Sequence, residues 1–186
     1  MQNSYTTTAN SYFDAAVDLL LQGETFLNEV SDSEYCRAVP EVFNATIGGH
    51  YRHVLEHFQL VLAAHPGGFL EYHRRDRDRE TETSVRRALQ RTREMVRAFR
   101  EIEFEPDSAP VEVHDTLADD PEALPQSCTS SIEREILYAV HHAVHHFALI
   151  RVMGEPMGLR FPEGFGVAAS TRHHQNSLES KKNQQR

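Results

Sequence analysis

Tryptophan is absent from the 186 residues, and cysteine is nearly so, occurring only as Cys36 and Cys128. Two cysteines do not make the disulfide framework of a small secreted domain. Neither stands in a C-x-x-C pair, so reduced thiols are expected rather than a thiolate metal site. No apolar run approaches the roughly 20 residues of a transmembrane helix. Met1 to Asn10 lack the basic start and apolar centre of a signal peptide. A cytoplasmic protein with no membrane partner is therefore expected. An excess of positive charge is missing too: the formal charge is −9, which opposes general affinity for phosphate backbones or anionic lipids. The arginines from Arg74 to Arg100 are interspersed with Asp and Glu, the pattern of a solvated face. With no tryptophan to stack on bases, nucleic acid is not an expected partner.

The remaining composition is that of a globular domain. Hydrophobic content of 39% with 25% charged residues suits one domain long enough to bury a sizeable core. Residues 1–170 form that expected domain, and the polar segment 171–186 is expected to be a disordered tail.

Four long segments carry apolar residues at helical spacing. The first runs from about Ser11 to Glu29, with Phe13, Ala16, Val17, Leu20 and Phe26 on one side. The second extends from about Phe43 to Ala64, ended by Pro66-Gly67-Gly68. Its Gly48-Gly49 pair weakens the helix slightly and permits close approach of another backbone. The third follows a charged stretch and carries Val85, Ala88, Leu89, Met95, Val96 and Phe99. Residues 103–131 are rich in Pro, Asp and Ser; within them Val111 to Asp115 alternate briefly, as a short strand would. The fourth helix, capped by Ser130 or Ser131 with Glu133 and Glu135 in its first turn, runs to about Met153. An ordered arm through Phe161 and Phe165 is expected to lie across the helices. The expected fold is all-α, an antiparallel four-helix bundle with a long irregular connection before its last helix and an extended C-terminal arm.

Histidines give this helical protein its chemistry. His142 and His146 lie one turn apart on the fourth helix, and His50, His53 and His57 lie on the second. Residues at i and i+4 stack on one face, and imidazole is the commonest ligand of zinc, nickel, copper and iron. At about 100° per residue, Ile132, Ile136, Val140, Ala143, Phe147 and Ile150 mark the fourth helix's apolar stripe. His146 continues its flank, His142 lies slightly further round, and His141 and His145 project from the opposite side. On the second helix, His50 and His57 fall nearest the stripe centre and His53 to the side, so spacing leaves the third ligand open.

The run from Thr46 through Gly48-Gly49-His50-Tyr51-Arg52 to His53, followed by His142-x-x-x-His146, resembles the DinB-like proteins. These include the YfiT-type group of metal-dependent hydrolases. The wider superfamily includes bacillithiol S-transferases, mycothiol-dependent maleylpyruvate isomerase and the N-terminal domain of ergothioneine-forming sulfoxide synthases. The likeness spans roughly Ser11 to Thr171. It implies a four-helix bundle, a homodimer, and a metal held by His53, His142 and His146.

Three imidazoles leave a divalent ion (zinc, nickel or iron) with open positions at which water or a thiol becomes acidic near neutral pH. The expected function is metal-dependent hydrolysis or thiol transfer on a small-molecule substrate, with a low-molecular-weight thiol as a candidate co-substrate. His57, one turn beyond His53, is the candidate for orienting a ligand or moving protons. Glu56 is a weaker base candidate, read as a solvated carboxylate. Cys128, just before the last helix, is read as a small loop residue ahead of a reactive thiol. The alternative function is a non-catalytic dimeric bundle whose metal is structural or whose site senses a small ligand. A fourth protein ligand from His50 or His57 would favour it.

Overall fold

A computed structural model of the protein describes residues 11–65, 67–74, 76–102, 109–116 and 123–184. Among the described residues the chain is mostly helical and carries one small three-stranded sheet. The long helices are α1 (Ser11–Leu27), α3 (Ile47–Ala64), α5 (Val85–Glu101) and α6 (Ile132–Gly154). Short helices α2 (Asp32–Tyr35) and α4 (Arg79–Thr83) lie between them, and α7 (Ala169–Gln184) follows. The strands are β1 (Phe69–Glu71), β2 (Val111–Asp115) and β3 (Gln126–Ser130).

Local chemistry sets the helix starts. Thr46, Ser84 and Ser131 are extended residues whose side chains accept from the backbone N–H three positions on, at Gly49, Arg87 and Arg134. α2 begins with a full capping box between Ser31 and Glu34. α3 therefore starts at Ile47 rather than at Phe43. Phe43 and Asn44 adopt left-handed backbone (φ 55° and 56°), which no helix interior tolerates.

α1 and α3 each pack against both α5 and α6. The shared core is built on fully buried Phe26, Tyr51, Phe58, Phe99, Phe147 and Phe165. Tyr51 is buried with its hydroxyl satisfied by Thr92 Oγ1 at 2.9 Å, as a buried polar group requires. The C-terminal arm lies against this core: the Phe165 ring stacks on Phe147 with centroids 4.3 Å apart, and Phe161 stacks on Phe26 at 5.1 Å. Gly166 allows that approach. Its φ is 70°, and a Cβ there would meet the Ala148 nitrogen at 2.5 Å.

The sheet corrects the all-α expectation. β2 pairs parallel with β1 and antiparallel with β3, with Val113 opposite Leu70 on one side and Cys128 on the other. Val111, Val113 and Leu70 are buried, and this burial fixes the register. β2 coincides with the alternating stretch from Val111 to Asp115; β1 and the polar β3 are additions. Residues 171–184, within the segment expected to be a disordered tail, are part of α7. Gln175, Glu179, Lys181 and Lys182 favour helix there, and the described side chains of α7 are exposed. Pro66, residues 103–108 and residues 117–122 lie outside the described residues. Among the described residues no helix is long and apolar enough to cross a membrane.

Candidate metal centre

The packing of α3 on α6 brings the two histidine groups together. His53 Nε2 lies 2.9 Å from His142 Nε2 across that interface. One turn along α3, His57 is almost fully buried and its Nδ1 donates to the His53 carbonyl oxygen at 2.9 Å. That bond fixes the tautomer, because the proton on Nδ1 leaves Nε2 as the basic nitrogen. Ligand atoms of His53, His57 and His142 all lie within 4.8 Å of one another.

His146 stands beside this trio. Its ring centroid is 4.6 Å from that of His53 and 4.5 Å from that of His142, while its Nδ1 shares a 2.8 Å hydrogen bond with His50 Nδ1. His141 and His145 are exposed, the outward orientation that the helical stripe predicts. Of the three ligands implied by the DinB-like resemblance, His53 and His142 thus meet directly and His146 is adjacent. His57, expected to orient a ligand or move protons, lies among the donors themselves.

The donor set suits a divalent cation. Two nitrogens on one tetrahedral zinc, at about 2.0–2.1 Å each, stand about 3.3 Å apart; the His53–His142 pair needs only a slight opening. The surroundings also hold the flanking His146 and His50 in the neutral form. Burial, then the neighbouring His53 and His142 rings, pushes His146 down to about 2. Burial followed by His53 also lowers His50. A neutral imidazole is the form that ligates metal.

Around the histidines stand Glu56, Tyr72 and Tyr138, and no sequence pattern singles out either tyrosine. Glu56 is buried, correcting its reading as a solvated carboxylate. It pairs with Arg52, which also reaches Glu82 at 3.0 Å, and its Oε2 lies 3.9 Å from His53 Nδ1. Three residues beyond His53 on the same helix, Glu56 lies on a neighbouring position by spacing alone. Tyr72 stacks on His57 at 5.3 Å and Tyr138 on His142 at 5.6 Å, while the two tyrosines meet edge to face at 5.3 Å. Burial, then the hydrogen bond to Glu135, raises the Tyr72 phenol well above its ordinary range, keeping it a donor.

A pocket of about 350 Å³ opens beside the cluster, lined among others by Thr46, Gly49, His50, Arg52, His53 and His146. Two larger hollows, about 720 and 760 Å³, lie between α1 and α5 and along the C-terminal arm. Neither contains a residue of the trio, so chemistry rather than volume marks the site. Cys128 sits exposed on β3 and Cys36 is also exposed. The Cys36 thiol donates to the Thr83 carbonyl at 3.3 Å. Its pKa is raised, first by partial desolvation and then by the nearby Asp32 and Glu82 carboxylates, the opposite of an activated thiol.

No family model and no solved structure matches the chain. FK506-binding protein 5 of Rhizopus delemar (strain RA 99-880 / ATCC MYA-4621 / FGSC 9543 / NRRL 43880) is 44% identical over 45 residues. That stretch is 24% of this chain and 12% of the fungal protein. A likeness confined to a quarter of the chain carries no family and no activity across.

Proposed function

We propose that this protein binds one divalent metal ion through His53, His57 and His142 and uses it to transform a small-molecule substrate by hydrolysis or thiol transfer. The supporting observation is the convergence of three imidazole donors within 4.8 Å, from two helices far apart in sequence. A bound zinc, nickel or iron ion would supply Lewis acidity to water or a thiol. The protein's own groups provide the rest. The His53 carbonyl holds His57 with Nε2 basic. Glu56, 3.9 Å from His53 Nδ1, is positioned to polarise that ligand as outer carboxylates do. Tyr72 and Tyr138 cover the His57 and His142 rings, and the pocket beside His53 offers room for a small ligand.

The reading carries with it a four-helix bundle of the DinB-like kind, formed by α1, α3, α5 and α6, and a homodimer. One observation favours a second reading. His146 lies close enough to both His53 and His142 to complete a closed, four-ligand structural site. Elemental analysis of the purified protein, paired with water-proton relaxation of the manganese- or cobalt-loaded form, tests both. About one equivalent of metal with an exchangeable water supports the enzyme. Metal without exchangeable water supports the structural site, and no metal removes both.

A further inference from the structure

Glu135 is the most deeply buried acid among the described residues, and it lies one aromatic ring away from the proposed metal centre. It sits in the first turn of α6 with no exposed surface. A carboxylate taken out of water is costly unless its oxygens are bonded and its charge is paired. Here Oε1 accepts from the Ser130 hydroxyl at 2.5 Å and from Arg134 Nη1 at 2.6 Å. Oε2 accepts from the Tyr72 hydroxyl at 2.7 Å. The helix start does not need this acid, because Ser131 already caps it.

The two carboxylate oxygens point to different tasks. The Ser130 bond joins the end of β3 to α6, an ordinary fastening of sheet to helix. The Tyr72 bond leads to the histidines. Tyr72 is buried, and its ring lies nearly parallel to His57, tilted by 27° at 5.3 Å. His57 is restrained on its edge by the His53 carbonyl and on its face by Tyr72, with the His142 ring also packed at 4.2 Å. An imidazole so held has little freedom in where its Nε2 lone pair points.

We propose that Glu135, acting through the Tyr72 hydroxyl, is a positioning residue that sets the tilt of the His57 ring at the metal centre. This rests on the reading of His57 as a ligand.

Tyr72→Phe keeps the ring and removes only the hydroxyl, while Ser130→Ala removes a different bond to the same carboxylate. Cobalt(II) affinity and visible spectrum should be measured for both, together with the ring-nitrogen NMR signals of His57 in metal-free protein. Tyr72→Phe should weaken cobalt binding about tenfold, as loss of an outer partner does, move the visible bands and shift the His57 signals. Ser130→Ala should lower thermal stability and leave all three unchanged. Wild-type behaviour of Tyr72→Phe, or equal shifts in both variants, would overturn the positioning role. If the wild type takes up no cobalt, the metal reading falls, and the His57 signals alone decide whether Tyr72 positions that ring.

Discussion

His53 Nε2 and His142 Nε2 stand 2.9 Å apart across the α3–α6 interface. At that distance one nitrogen carries a proton or both face a cation, since two facing lone pairs would repel. With His57 held by its Nδ1 bond, three imidazole donors stand close enough together to hold a metal ion.

Removing half of that pair gives the first prediction. His142→Ala should reduce metal content from about one equivalent to near zero, with affinity lowered by more than the 10–100-fold that outer partners cost. Inductively coupled plasma analysis after dialysis measures it. Full metal content in the variant would place the ion elsewhere.

The identity of the third ligand is separable. His57→Ala should abolish tight binding, whereas His146→Ala, whose ring neighbours both His53 and His142, should weaken it 10–100-fold as an outer partner does. Competition titration against a chromogenic chelator ranks the two. The reverse order would give the third position to His146, as the DinB-like resemblance implies.

Much of this site is readable from sequence, for reasons that also mark where reading stops. Helical spacing separates inward His142 and His146 from outward His141 and His145, because an α-helix fixes side-chain direction by residue number. The serine before the last apolar run also delivers the start of α6, where Ser131 is the cap. What spacing lacks is the partner. Tyr72 reaches His57 only because β1 pairs with β2 and the chain turns back at Tyr72. β3, reading Gln-Ser-Cys-Thr-Ser, has no apolar alternation to announce it and takes its register from β2. Phe43 looks like the head of an apolar stripe, yet it is 97% exposed on a left-handed turn, and α3 starts only at Ile47.

Gly48 was legible as a point of close approach, and it makes a stability prediction. A Cβ there would stand 2.0 Å from the Glu82 carbonyl oxygen and 2.8 Å from Tyr35 Cε1. Gly48→Ala should therefore push α4 off α3 and destabilise the protein by about 1–3 kcal/mol, the usual cost of overpacking. Urea denaturation would detect it. An unchanged midpoint would mean that α4 gives way freely.

Asp78 supplies a pH signature at the same junction. Its carboxylate caps α4 through the Glu80 and Thr81 N–H groups, and the Thr81 hydroxyl bond chiefly holds its pKa below the ordinary value. A depressed carboxylate pKa gives stability that is complete above the unfolded value near 3.9 and is lost as pH falls through the folded one. Asp78→Ala should cost about 1 kcal/mol at neutral pH, with the gap to wild type closing in acid. Thermal melts at neutral and acidic pH compare the two. A constant gap would locate the effect outside the charged cap.

The most direct test of the metal centre is anomalous diffraction at the zinc edge from crystals of the wild-type protein grown with zinc. A single strong peak bonded to His53 Nε2, His142 Nε2 and a His57 ring nitrogen is the predicted result. Crystals whose only zinc peaks lie elsewhere, with His53 and His142 still hydrogen-bonded to each other, would contradict it.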